Sequence, residues 1–132
     1  MSEDVRAYSF YFPIKGISKD NGRHFGKQGM YFLPKKFRDF EKELRRYFYE
    51  QKAKNFQPYE KTQDLNVLLK FTFKTKVHCD TGNLPKSILD AFNKILWYDD
   101  KQIKRLAVEV NYGDCDSIHL NVSNIVRGEP NQ

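Results

Sequence analysis

The stretch His78–Ile103, HCDTGNLPKSILDAFNKILWYDDKQI, decides how this chain is read. Leu84, Ile88, Ala91, Phe92 and Ile95 recur at three- and four-residue intervals, the spacing of one buried helix face. A helix is expected from about Asn83 to Leu96. Pro85 is tolerated because it falls in the first turn, where a missing N–H loses no partner. Asp80 stands just before this helix and the pair Asp99–Asp100 just after it. Carboxylates flanking so short a helix can converge if the chain folds back at Trp97–Tyr98.

Working outward, Leu65, Val67, Leu69, Phe71 and Phe73 alternate with Asn66, Lys70, Thr72 and Lys74, the two-residue period of a one-sided strand. Arg6–Ile14 reads as another strand, with Tyr8, Phe10 and Phe12 in alternation and Pro13 limiting it. Lys15–Met30 carries four glycines among Lys15, Lys19, Arg23, His24 and Lys27, which predicts a basic loop. Pro34 can open a helix whose apolar stripe is Phe37, Phe40, Leu44, Tyr47 and Phe48. Arg38, Glu41, Lys42 and Arg45 fall off that stripe, towards solvent or a ligand. Lys54–Gln63 reads as a connecting loop. Ile103–Tyr112 and Ser117–Val126 read as two strands of a hairpin turning at Gly113, and 127–132 as a loose tail. The expected fold is therefore α/β (α+β): one domain over 1–132, a small mixed sheet packed with two main helices.

The chain has 132 residues, 39% of them apolar and 15% aromatic, which suits one globular core. No apolar run approaches the ~20 residues of a membrane span. The N-terminal MSEDVRAYSFYF lacks the basic-then-apolar order of a secretory signal. Cys79 and Cys115 lie far apart, as in a reduced intracellular protein. Lys and Arg number 23 against 17 Asp and Glu, a net charge of +6. The excess sits in Lys15–Lys54, whereas Asp80–Asp116 is comparatively acidic. A basic half beside an acidic cluster suits a polyanion drawn across a metal site.

Mg²⁺ takes oxygen ligands, typically one or two carboxylates and several waters, and such ions activate water in phosphodiester hydrolysis. Asp80 and Asp100 are the candidate ligands. Spacing alone leaves a second reading open, in which Asp80 caps the helix and Asp99 or Asp100 caps the next turn. Lys86 and Asp90, four residues apart, suit an exposed helix pair worth about a few tenths of a kcal/mol. His24, His78 and His119 are scattered, with no ligand spacing among them. Tyr8, Tyr11, Phe25, Tyr31 and Phe32 could stack on exposed bases, although most are expected in the core.

D-x-G-N-x-x-K-x-x-x-D-A, from Asp80 to Ala91, followed by Y-D-D-x-Q-I at Tyr98–Ile103, resembles the RusA-type Holliday junction resolvases. Their pattern is D-x-D-N-L-x-K-x-x-x-D-A-L and then D-D-x-Q-[IV]. The resemblance implies a homodimeric endodeoxyribonuclease that needs Mg²⁺, with Mn²⁺ able to substitute, and cuts four-way DNA junctions in recombination and repair. It implies catalytic roles for Asp80, Asn83, Lys86, Asp99 and Asp100, with Asp80 and Asp100 on the metal. Asp90 and Gln102 match further motif positions. Lys15, Arg23, Lys27, Lys35, Lys36 and Arg38 are the expected DNA contacts. A cytoplasmic setting, in bacteria or as a phage protein expressed there, is implied, with no membrane partner.

One departure matters: Gly82 stands where the family pattern has its second aspartate. Another acid (Asp90, Asp99 or Glu109) fills the place, or the chain binds junctions without cutting them well, or the glycine is a substitution peculiar to this sequence. The same glycine makes Asp80-Thr81-Gly82 a D-T-G triplet, as in retroviral-type aspartic proteases. Those need the triplet between apolar strands, and here an amphipathic helix follows. A non-catalytic branched-DNA-binding module is the other alternative, using the same basic loop and helix.

Overall fold

Leu65–Phe73 (β2) forms the strand its alternation predicts, and every apolar odd position on it is fully buried. It occurs in a computed structural model that describes residues 5–18, 35–76 and 83–126. Around β2 run Ala7–Phe12 (β1), Lys35–Gln51 (α1), Leu84–Phe92 (α2), Ile103–Tyr112 (β3) and Ser117–Asn124 (β4). The strands form one mixed sheet in the order β1-β4-β2-β3. β1 pairs antiparallel with β4, β4 antiparallel with β2, and β2 parallel with β3. The α+β class with two main helices is as expected.

The expected hairpin is not formed. β3 and β4 are separated by β2, which pairs with both. Gly113 N donates to the Phe73 carbonyl at 3.1 Å, and Lys74 N donates to Asp116 Oδ1 at 2.8 Å. The 113–116 connection therefore passes over the end of β2 instead of turning back on β3. It spans two strand spacings, roughly 10 Å, more than a two-residue hairpin turn bridges. The parallel β2–β3 pair is closed by a crossover through α2, as parallel neighbours require.

Both helices lie on one face of the sheet. α1 buries Phe37, Phe40, Leu44 and Phe48; α2 buries Leu84, Ile88, Ala91 and Phe92. Their rings meet those of β1, with Phe10 and Phe48 centroids 5.0 Å apart and Phe12 and Phe92 5.7 Å, and meet each other, with Phe48 and Phe92 5.5 Å apart. Tyr47 is only partly buried. Arg45, expected to face outwards, instead reaches α2, where Nε donates to the Ala91 carbonyl at 3.2 Å. A cation at the carbonyl end of a helix is electrostatically favoured. Gly16 is buried against this layer: a Cβ there would stand 2.6 Å from Phe71 Cδ1, so the close approach requires glycine. Among the described residues no helix is long and apolar enough to cross a membrane.

Candidate active site

α2 ends at Phe92, four residues before the predicted Leu96. Asn93 is already extended and Lys94 takes a left-handed φ of 69°, which costs a side-chain-bearing residue roughly 1 kcal/mol. The reversal is held by Lys94 N donating to the Trp97 carbonyl (2.7 Å) and Leu96 N to the Phe92 carbonyl (3.0 Å). Leu96 and Trp97 are fully buried and pin the turn to the core. The chain does reverse after α2, but at Asn93–Trp97, earlier than the Trp97–Tyr98 point that convergence of Asp80 and Asp100 would need.

The turn delivers Asp99 and Asp100 to different tasks. Asp99 caps the 3₁₀ turn Asp100–Gln102, its Oδ1 accepting from Lys101 N at 2.9 Å. Gln102 completes the capping box and is buried with both ends of its amide in use. Its Oε1 accepts from Tyr98 N (2.8 Å) and Asp99 N (3.1 Å), and its Nε2 donates to the carbonyls of Glu60 (2.7 Å) and Gln63 (3.0 Å). Four bonds from one side chain lock the acidic turn to the 60–63 loop.

The electrostatics separate the two aspartates further. The Lys101 backbone N–H, then a hydrogen bond with Asp100, holds the Asp99 carboxyl below the usual range. Asp100 moves the other way: its hydrogen bond to Asp99, partial burial and the charges of Asp99 and Asp90 push it up. Asp90, in the last turn of α2, is thus within electrostatic reach of Asp100. Lys86 is exposed one turn earlier on α2. Asn83 opens α2 but makes no side-chain capping bond to it.

Of the three acids considered for the place left by Gly82, Glu109 lies elsewhere. It pairs in register with Lys70 on the sheet face away from the helices, 4.0 Å from its Nζ. Asp99 is committed to the cap, and Asp90 is the one on α2 facing Asp100's field. Among the described residues, no three His, Cys, Asp or Glu side chains come together as a metal site. Asp80, Gly82, Arg23, Lys27, His24, His78, Phe25, Tyr31 and Phe32 lie outside the described residues. Of the expected DNA contacts, Lys15, Lys35, Lys36 and Arg38 are all exposed, the last three along the first turn of α1. His119 sits on β4 against the Tyr11 ring, centroids 4.8 Å apart, and Tyr8 is packed at the core's margin.

One feature had no signal in the motif. Lys61, Lys94, Tyr98, Asp99 and Gln102 line a depression of about 360 Å³ beside the acidic turn. Lys61 Nζ stands 5.2 Å from the Tyr98 ring centroid. Lys61 comes from a loop distant in sequence, and the Gln102 bonds bring that loop here.

The sequence model of the family Endodeoxyribonuclease RusA matches residues 13–123, from the end of β1 to β4. No curated protein matches the chain significantly. The match spans most of the chain, including the whole of the acidic turn and both helices, so the chain belongs to the RusA endodeoxyribonuclease family.

Proposed function

We propose that the protein is a Mg²⁺-dependent endonuclease of four-way DNA junctions, acting as a homodimer, with Mn²⁺ able to replace Mg²⁺. The observation that carries this is the adjacent pair Asp99–Asp100 at the head of β3: Asp99 caps the turn, and Asp100, hydrogen-bonded to Asp99 and partly buried, is harder to ionise than an ordinary carboxylate. A divalent cation beside it would favour the ionised form. The donor chemistry fits a hard ion, since the candidate ligands Asp80 and Asp100 offer only oxygen. When bound, the ion would supply an activated water and stabilise the leaving oxygen.

The chain's own residues do the rest. Asp80 and Asp100 would hold the ion, and Gln102 and Asp99 fix the turn so that Asp100 keeps its position. Lys86 meets the scissile phosphate and offsets its developing charge. Asn83, at the start of α2, would support the metal-holding side chains. Lys15, Arg23, Lys27, Lys35, Lys36 and Arg38 hold the phosphates of the arms, and Lys61 and Lys94 extend this charge past the acidic turn. Gly82 supplies no carboxylate where the family pattern has one, which would weaken the hold on the ion and lower the rate without abolishing DNA binding.

The test is binding and cleavage of a labelled four-way junction beside a linear duplex of equal length, with Mg²⁺ or Mn²⁺. Preferential junction binding is expected, weakening with salt at a log–log slope of roughly −0.9 per phosphate neutralised. Paired incisions are expected, and Asp80→Asn should abolish them while junction binding persists. Equal affinity for both DNAs contradicts the junction claim. Junction binding without incision, even after Gly82→Asp, transfers the assignment to the binding-module reading.

A further inference from the structure

β1 and β3 are the two outer strands of the sheet, and they are finished differently. β1 is six residues long, and Gln51 of α1 lies against its outer edge. The Gln51 amide accepts from Tyr11 N at 2.7 Å and donates to the Tyr11 carbonyl at 2.5 Å. Side chains that occupy a strand's free backbone groups are one way proteins block edge-to-edge pairing. β3 is ten residues long, and no strand among the described residues pairs with its outer edge. Its register with β2 places Leu106 beside Val67 and Val108 beside Leu69, on the helix-bearing face. Yet Leu106 is 43% exposed and Val108 38%. A long edge with an uncovered apolar row is a template for another strand.

We propose that β3 is the homodimer interface, pairing antiparallel with β3 of a second copy about a two-fold axis through Ala107. This builds on the homodimer proposed above and assigns its surface. The strand's own sequence selects the register. With the two-fold normal to the sheet, directly opposed residues share a face. The axis at Ala107 sets Leu106 opposite the copy's Val108, and Arg105 opposite the copy's Glu109, each twice by symmetry. Moving the axis to Leu106 sets Arg105 opposite Ala107 and Glu109 opposite Ile103, and moving it to Val108 sets Arg105 opposite Asn111 and Glu109 opposite Ala107. Of these three, Ala107 alone opposes Arg105 and Glu109, with the smallest side chain of the row on the axis; it also sets Lys104 opposite Val110, where Lys104 is the bulged residue in the register with β2. Opposed charges and packed apolar pairs are what stabilise neighbouring strands, and like charges there destabilise them.

The consequence is one continuous sheet built from two four-stranded halves, with all helices on one side. Each β3 begins at Ile103, directly after the acidic turn. The two Ile103 positions lie eight residue steps apart through the axis, roughly 26 Å along the paired strands. The dimer thus carries its acidic turns at opposite ends of a shared strand pair, one for each incision.

The test uses the full chain with Cys79 and Cys115 replaced by serine. Directly opposed residues of an antiparallel pair have Cα atoms roughly 4.5–5.5 Å apart, within disulfide range. Ala107→Cys should therefore give a covalent dimer on mild oxidation, and Asn111→Cys, far from the axis, should not. In sedimentation equilibrium Arg105→Glu should weaken the dimer roughly tenfold. Adding Glu109→Arg should restore it, which no general loss of folding would do. A dimer that ignores both charge changes, and that the Ala107→Cys variant fails to cross-link, overturns this interface and leaves the homodimer standing on another surface. A monomer at every concentration, with and without junction DNA, overturns both. Junction cleavage, measured separately, bears on the nuclease reading alone.

Discussion

β2 and β3 lie side by side, run parallel and carry the same alternation of apolar and polar residues. Val67, Leu69 and Phe71 of β2 are completely buried. Of their register partners on β3, Leu106 and Val108 are exposed and Val110 alone touches the core. The alternation fixes which face a side chain takes in both strands. What differs is the cover: the described residues bury the apolar row of β2 completely and leave Leu106 and Val108 of β3 exposed. β2 is therefore a strand of the monomer's core, and β3 is a strand whose apolar row is only partly covered by the described residues.

The most disruptive way to sharpen this contrast is to truncate matched positions. Phe71→Ala should cost about 4 kcal/mol and Leu69→Ala about 3 kcal/mol in urea unfolding. At protein concentrations low enough to hold monomer, Val108→Ala should cost below about 1 kcal/mol. Comparable losses at Leu69 and Val108 in the monomer would break the comparison. Next comes Gln102→Ala, which strips four backbone groups at the entrance to β3 of their partner and should cost about 2 kcal/mol. Gly16→Ala, which drives a methyl into the Phe71 ring on the β2 side, should cost about 1–3 kcal/mol. At the small end, Lys94→Gly relieves a left-handed φ and should gain up to about 1 kcal/mol.

The acidic turn adds a pH signature. The Asp100 carboxyl is raised, so between the ordinary carboxylate value and its own the folded chain binds more protons than the unfolded one. Its ionisation lowers stability as pH rises through that window. Asp99 is lowered, so its contribution is present above the ordinary value and is lost as pH falls through its own. Asp100→Asn should consequently make the fold slightly more stable at neutral pH and flatten the first slope. Urea midpoints from about pH 3 to 8 on both forms check this.

These contrasts also mark what the sequence could reveal. The faces of β1 and β2 were legible, because a two-residue period depends on local chain geometry alone. The α1 stripe was legible for the same kind of reason. The end of α2 was not: Ile95 continues the helical period, but Lys94 turns left-handed so that Leu96 and Trp97 can enter the core. The β3–β4 hairpin misled because two adjacent strands with a glycine between them look alike whether or not a third strand lies between. That choice is made by β2, far earlier in the chain. In the site, the D-D-x-Q-I motif gave no sign that Asp99 caps the turn or that Gln102 ties it to a distant loop. The hydrogen bonds from Gln102 to Glu60 and Gln63, which no local pattern signals, set the turn in place and bring Lys61 beside it.

That division between neighbouring aspartates is the central claim. Its most direct test is Mg²⁺-dependent junction cleavage by Asp99→Asn and Asp100→Asn, each made in the given sequence and with Gly82→Asp to lift the rate. Asparagine caps a helical turn as well as aspartate does, so Asp99→Asn keeps the turn. It should retain most cleavage, whereas Asp100→Asn should lose it by orders of magnitude and still bind the junction. Equal loss in both, or cleavage that survives Asp100→Asn, would contradict the assignment of Asp100 as the metal-holding carboxylate.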